Sequence, residues 1–425
     1  MIENLLHFIW KFKKFNATNL LSTSGEVLQI VHPGAHNQGS GPDFFNAKIV
    51  VAGQLWVGNV EIHLKSSDWY AHHHEADERY KNVILHVVWE DDAVVFGTDN
   101  IPIPTLLLRT YVSPQLLKAH KELFNKHNIT FINCEKNIKD YNTFGMAHWL
   151  ERLFFERLEQ KSVMVQSQLN RCNNNWEHVM FTLLLKSFGS KINGPAFLAL
   201  AEGLDFSAVQ KVKHNAFELE ALLMGSCGLL KGNEVDNYYL NLRKAYTFIH
   251  HKFQLKTTPM LPPEFFKLRP VNFPTIRLSQ FAQLYSRHQN LFRQLIAAKT
   301  MKELYTLFEV KASPYWDTHF TFGKPTKSSK KQLSKKFIDL LIINTVLPLK
   351  FCYAKQRGMH ISETLVSIIQ TIKKEENKIS NTFKLYGVRV NNAMESQALI
   401  QLHTGYCLRN RCLECAVGGS LLQRA

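Results

Sequence analysis

The chain has 425 residues, 45% of them hydrophobic and 20% charged, with a formal net charge of +16. That length exceeds one ordinary core and predicts two or three domains of a globular protein. No apolar run in the sequence approaches the ~18 residues expected of a spanning helix, and seven cysteines are too few and too scattered for a disulfide framework.

The charge is unevenly placed. Of the 51 Lys+Arg and 35 Asp+Glu, residues 1–130 hold 11 and 13, and the remainder holds 40 and 22. A strongly basic remainder predicts a polyanionic partner, nucleic acid first. The N-terminal stretch MIENLLHFIWKFKKF carries its acid before its lysines, the reverse of a secretory signal. No membrane partner, a cytoplasmic location and reduced thiols are therefore expected.

The first fifteen residues read as an amphipathic helix with Leu5, Ile9 and Phe12 on one side. TSGEVLQIVHPG predicts a strand closed by Pro-Gly, and NQGSGP a loop of turn formers. FNAKIVV and LWVGNVEIHLK predict two hairpin strands around AGQ. SSDW offers helix caps, and HHHEADERYKN is a polar, helix-compatible segment. VILHVVWE predicts a strand buried on both faces, with His86 as a core histidine. FGTDNIPIPTLLL predicts a further edge strand. The order is helix, three strands, helix, strand: an α+β domain over residues 1–130.

From residue 113 the pattern turns helical. A helical domain is expected over 131–322, and a helical C-terminal region over 323–425. The latter opens with GKPTKSSKKQLSKK, a basic stretch that predicts a mobile loop.

The polar residues of the first domain suggest chemistry. Glu61, His63 and Lys65 alternate along one strand and share a face. A hairpin turn near Gly53 sets Asp43 beside Glu61. Two carboxylates that close repel unless a cation lies between them. Mg²⁺ with phosphate oxygens suits that pair, and a lysine on the same face neutralises developing charge. Asp68 and Trp69 follow directly as substrate contacts. His72, His73 and His74 read as a polar helix start, because adjacent helical residues point about 100° apart.

At these residues the sequence resembles the PD-(D/E)xK nuclease superfamily. Pro42-Asp43 matches its PD element, and the strand ending in Lys65 its (D/E)xK element. The resemblance implies a restriction-endonuclease-like αβββαβ core and Mg²⁺-dependent phosphodiester hydrolysis. Asp43 and Glu61 would be metal ligands, Glu26 an additional acid, and Lys65 the catalytic lysine. This sequence departs from the pattern at His63, where an acid is expected. Either the acid has shifted to Glu61, His63 is itself a ligand, or the site is silent and the protein only binds nucleic acid. The chain as a whole is also similar to the family named domain of unknown function 2851, through TSGE, NQGSGPDF, GNVEIHLKSSDW, NVILHVVWEDD and the terminal CxxxxCxxC.

Near the C-terminus Cys407, Cys412 and Cys415 are closely spaced. Such spacing suits zinc or an iron–sulfur cluster, and equally suits buried packing. His403, one helical turn before Cys407, is the nearest fourth ligand; Cys352 and Cys134 are distant ones.

Overall fold

The computed structural model describes residues 3–37, 39–125, 130–233, 236–256 and 262–424. Gln38, in the loop expected at 37–42, lies outside the described residues. The chain forms two compact units. The first comprises residues 1–149, 381–389 and 402–425, and the second 150–380 and 390–401. The extreme C-terminal segment therefore belongs with the sheet rather than with a separate helical region.

The first unit is α+β. Helix α1 (Glu3–Lys11) buries Leu5, Leu6, Phe8, Ile9 and Trp10. Phe12, expected on that apolar face, lies past the helix end and is largely exposed. The sheet contains β1 (Leu20–Leu21), β2 (Val27–His32), β3 (Ala35–His36), β4 (Phe44–Val51), β5 (Gln54–Lys65), β6 (Val83–Glu90) and β7 (Thr105–Leu107). Its order is β1-β2-β4-β5-β6-β7, with β3 paired to β4. The β2, β4 and β5 strands run antiparallel; β5, β6 and β7 run parallel. Between β5 and β6 the chain crosses over through α2 (Asp68–Ala71) and two 3₁₀ turns.

Two backbone devices set the register. Ala52 and Gly53 both have positive φ, 49° and 85°, and close a two-residue hairpin between Val51 and Gln54. Further along, a bulge inserts one extra residue in β4, where the pairing moves from Ala47↔Gly58 to Phe44↔Val60. Asn46, at φ 55°, lies in the bulge, and its N–H donates to Asn59 Oδ1 at 3.3 Å. Without the bulge, Asp43 would stand opposite Ile62; with it, Asp43 stands opposite Glu61. A one-residue slip reverses every side chain on a strand, so the bulge decides which face Asp43 serves.

The second unit is helical. It takes in most of α4 (Thr143–Arg171, after α3 at Pro114–Leu123), then α5 (Trp176–Phe188), α6 (Ser190–Gly203) and further helices. Its core includes the buried carboxyl of Glu220, which accepts from Trp316 Nε1, Ser279 Oγ and Tyr238 OH at 2.7, 2.7 and 2.9 Å. Contrary to the expectation from hydropathy, one helix, Lys335–Gln356, is long and apolar enough to cross a membrane. About 72% of its apolar window is buried inside the protein, as expected of a core helix. The basic stretch 323–336 is pinned rather than loose. Lys331 is buried and donates from Nζ to the carbonyls of Asp317 and Ser329, and bridges join Lys311 to Gln332 and His319 to Pro325.

Candidate metal centre

The site is built on β5 and on the crossover that follows it. Glu61 and His63 point to one side of the strand and are almost wholly buried, at 5% and 1% exposure. The start of β4 faces them across the bulge. The N–H of Asp43 donates to Glu61 Oε2 at 3.0 Å, and the N–H of Ile62 donates to Asp43 Oδ2 at 3.0 Å. From α1, His7 brings Nε2 to 3.2 Å from Asp43 Oδ2. Sequence reading missed His7, whose only signal is its place on the inward side of an amphipathic helix.

The crossover supplies the remaining side chains. Helix α2 stops at Ala71, and His73 takes a left-handed conformation at φ 58°. That reversal turns His73 outward, its side chain 85% exposed, and brings His72 and His74 to the same point. The helical geometry that separates adjacent histidines does not apply here, and the polar-helix reading of 72–74 is corrected. His63, His72 and His74 each offer a ring nitrogen, and the three atoms lie within 4.8 Å of one another.

The individual separations are informative. His72 Nδ1 is 3.2 Å from His63 Nε2. Glu61 Oε1 is 3.5 Å from His63 Nε2 and 3.4 Å from His74 Nε2. A tetrahedral ion with ligands at about 2.0–2.1 Å sets those ligands about 3.3 Å apart. His63, His72 and His74 thus form a compact three-nitrogen set, and Glu61 adjoins two of its members, His63 and His74. Three imidazoles favour zinc or a similar transition ion over Mg²⁺, which prefers oxygen.

Surrounding groups fix the rings. His63 Nδ1 is 2.9 Å from His86 Nε2, so with Nε2 turned toward an ion His63 donates from Nδ1. His86 is fully buried, as expected, but its role includes orienting His63; its own Nδ1 has no partner among the described residues. The buried Nδ1 of His74 likewise lacks one, while the ring stacks on Tyr80 at 3.7 Å. Trp69, expected to meet substrate, is fully buried and packs edge-on to His74. Its indole forms a wall behind the site with Tyr80, Val83 and Val95.

The electrostatics follow from burial. Desolvation, then the neighbouring Asp43 carboxylate, pushes the Glu61 carboxyl up to about 9. Desolvation, then the adjacent imidazoles His86, His74 and His72, holds His63 down to about 2. Desolvation also holds His74 down to about 4 and His86 to about 3. Unprotonated nitrogens facing a buried carboxyl form an arrangement a cation stabilises.

The other sequence candidates fall elsewhere. Lys65 shares the face of Glu61 by alternation but sits exposed at the end of β5, roughly 13 Å along the strand from Glu61. Its N–H donates to Asp68 Oδ2, so Asp68 serves the turn into α2. Glu26 precedes β2 at the end of the sheet opposite Asp43, and accepts from Ser22 and Ser24. It is not brought to the site, because β2 runs antiparallel to β4. His403 stacks on Phe131 at 4.4 Å rather than joining the cysteines. A larger cavity, about 600 Å³, lies in the second unit beside Lys231, Tyr246 and His250, and none of the residues above lines it.

A family model described as "Protein of unknown function (DUF2851)" matches residues 3–378. No curated protein matches the chain, and no solved structure does.

Proposed function

The chain belongs to the DUF2851 family, and we propose that it is a metal-dependent phosphodiesterase acting on nucleic acid. The observation that carries this reading is the convergence of ring nitrogens of His63, His72 and His74 within 4.8 Å of one another, with Glu61 Oε1 3.5 and 3.4 Å from His63 and His74. Support also comes from the order α1, β2, β4, β5, α2, β6, which follows the αβββαβ order of the PD-(D/E)xK nucleases, with Asp43 and Glu61 paired across β4 and β5. The donor set favours a transition ion in place of the magnesium expected from two carboxylates alone.

In this reading, a bound ion polarises a phosphoryl oxygen and makes water more acidic. The protein does the rest. Glu61, raised by burial and adjoining His63 and His74, would release its proton to offer Oε1 to an ion held by the histidines. His86 holds the His63 ring through Nδ1, fixing the tautomer that leaves Nε2 free. Asp43, partly exposed and held by the Ile62 N–H, stands at the open side with His7 as its imidazole neighbour. His72, exposed where Glu61 and His63 are not, marks the side from which a substrate enters. Lys65, further along the same face, meets phosphate charge on the incoming strand. The net charge of +16 supplies affinity for such a strand.

The test is cleavage of single- and double-stranded DNA and RNA by protein loaded with zinc, manganese or magnesium. Loss of cleavage in Asp43→Ala and His72→Ala, with ion content lost only in the latter, supports the reading. Cleavage untouched by both substitutions overturns it. The burial of Glu61 and His63 favours a second reading, a nucleic-acid-binding protein without turnover. It predicts salt-dependent binding and no cleavage with any of the three ions.

A further inference from the structure

Four cysteines meet in the first unit, with no disulfide among them. Cys134 lies in the turn that leads to Ile138, whose N–H donates to the Cys134 carbonyl. Cys407 ends a π turn (Leu402–Cys407), Cys412 opens a 3₁₀ turn, and Cys415 immediately precedes the helix Ala416–Gln423. Together they line a cavity of about 20 Å³. The position that His403 was expected to fill is taken by Cys134.

The surroundings are shaped around the sulfurs. A Cβ on Gly418 would stand 2.2 Å from the Cys412 carbonyl oxygen, so the helix start approaches this closely only with glycine there. The N–H groups of Gly418 and Val417 and the Trp149 side chain donate to Cys415, and the Asn133 side chain to Cys412. Donors aimed at sulfur favour thiolate over thiol. Against them, burial and then the neighbouring sulfurs push Cys134 and Cys412 up to about 12, and Cys407 higher still. Burial raises Cys415 as well. Four sulfurs that repel as anions, yet are served by donors that want them charged, are balanced by a shared cation.

The spacing selects the kind of centre. A single zinc ion draws its sulfurs to about 2.3 Å and hence to about 3.8 Å from one another. Among the described residues, the three-imidazole group is the one whose ligand atoms all fall within 4.8 Å of one another; no three of these sulfurs do. The wider set suits a centre with several metal atoms between the thiolates.

We propose that Cys134, Cys407, Cys412 and Cys415 hold an iron–sulfur cluster. The cluster arrives preassembled with its iron and sulfide on the thiolates of a carrier; each cysteine sulfur displaces one carrier thiolate from iron and its proton passes to the thiolate released, so no oxidant is consumed. The cluster joins the turn at Cys134 to residues 402–425, two segments distant in sequence that the first unit brings together. Its role there is to hold the C-terminal segment against the unit, as a metal staple does.

The test is the full chain, prepared without oxygen and assayed for iron, acid-labile sulfide and zinc. Iron and sulfide in equal amounts, with a visible absorbance that bleaches on reduction, is the expected result. Cys134→Ser should bring both to background, and Cys227→Ser, buried in the other unit, should change neither. His72→Ala should leave sulfide and its equivalent of iron in place, which separates this centre from the imidazole one. Stoichiometric zinc without sulfide overturns the cluster, as do wild-type protein free of sulfide and a Cys134→Ser protein that loads fully. The wild-type assay decides even where a variant does not fold.

Discussion

Asp43 and Glu61 are tied to each other through the backbone and not through a shared proton. The Asp43 N–H reaches Glu61 Oε2, and the Asp43 carboxylate takes the N–H of Ile62, both at 3.0 Å. Each carboxyl thus has one fixed donor, and Glu61 still turns Oε1 toward His63 and His74. Asp43 keeps part of its side chain in water, while Glu61 is buried. Burial therefore raises the Glu61 carboxyl, which keeps its proton until a cation takes that place.

The first prediction concerns Glu61 in protein stripped of ions. Its carboxyl is raised from 4.5 to about 9 in the folded chain. Between those values the folded state holds a proton the unfolded state has lost, so stability falls as pH rises across that window. The slope is at most about 1.4 kcal/mol per pH unit for one proton. Urea unfolding with chelator present, at several pH values from 5 to 9, should show this decline in wild type and not in Glu61→Gln. With ion restored, wild type should gain affinity by up to about tenfold per pH unit over the same range, because binding displaces that proton.

The acid limb has the opposite sign. His63, His86 and His74 are held down to about 2, 3 and 4, from 6.5. Below 6.5 the unfolded chain takes up protons that these buried rings refuse, so stability present above 6.5 is lost as pH falls. His86→Leu removes one such group and should flatten the decline between pH 6 and 4. It also frees the His63 ring, and a loss of roughly 10–100-fold in ion affinity is expected. Unfolding curves and competition with a chromophoric chelator separate the two effects.

Much of this was legible in the residues themselves. The alternation of β5, the doubly buried run of β6 and the AGQ turn predicted the strands, and they placed Asp43 beside Glu61. The bulge at Asn46 was not visible, although it decides that pairing. The histidine triad was read away from a metal because helical periodicity was extended through His73, a residue whose left-handed φ has no firm sequence mark. Trp69 and Glu26 were placed by neighbourhood in the sequence, whereas core packing and strand direction send them elsewhere. Cys134 meets the C-terminal cysteines only because the chain returns to the first unit, a long-range fact that spacing does not encode.

The conformation of His73 yields a variant that disturbs the site without touching a ligand. At φ 58° glycine is at ease and a β-branched residue is strained, by about 1–2 kcal/mol. His73→Gly should retain ion affinity, and His73→Val should lower it by pulling His72 and His74 apart. If both bind the ion equally, the left-handed turn is not what assembles the triad. Isothermal titration with zinc provides the measurement.

The basic stretch 323–336 offers the sharpest test of the polyanionic partner. Lys324, Lys327, Lys330, Lys335 and Lys336 are exposed there, while Lys331 is spent inside the fold on carbonyl oxygens and the face of Phe320. Each lysine that meets a phosphate contributes about −0.9 to the slope of log affinity against log salt on duplex DNA. Replacing the five exposed lysines by alanine should weaken duplex binding and lower the magnitude of that slope by up to about 4.5, with little change in stability. Lys331→Met should do the reverse. It removes a buried ammonium's bonds to the part-buried carbonyls of Asp317 and Ser329, costs roughly 1–3 kcal/mol, and leaves the salt slope close to wild type. Binding at several salt concentrations, read beside unfolding midpoints, distinguishes a phosphate-facing surface from lysines that only solvate the protein: an unchanged slope after the fivefold substitution would exclude this stretch from the contact.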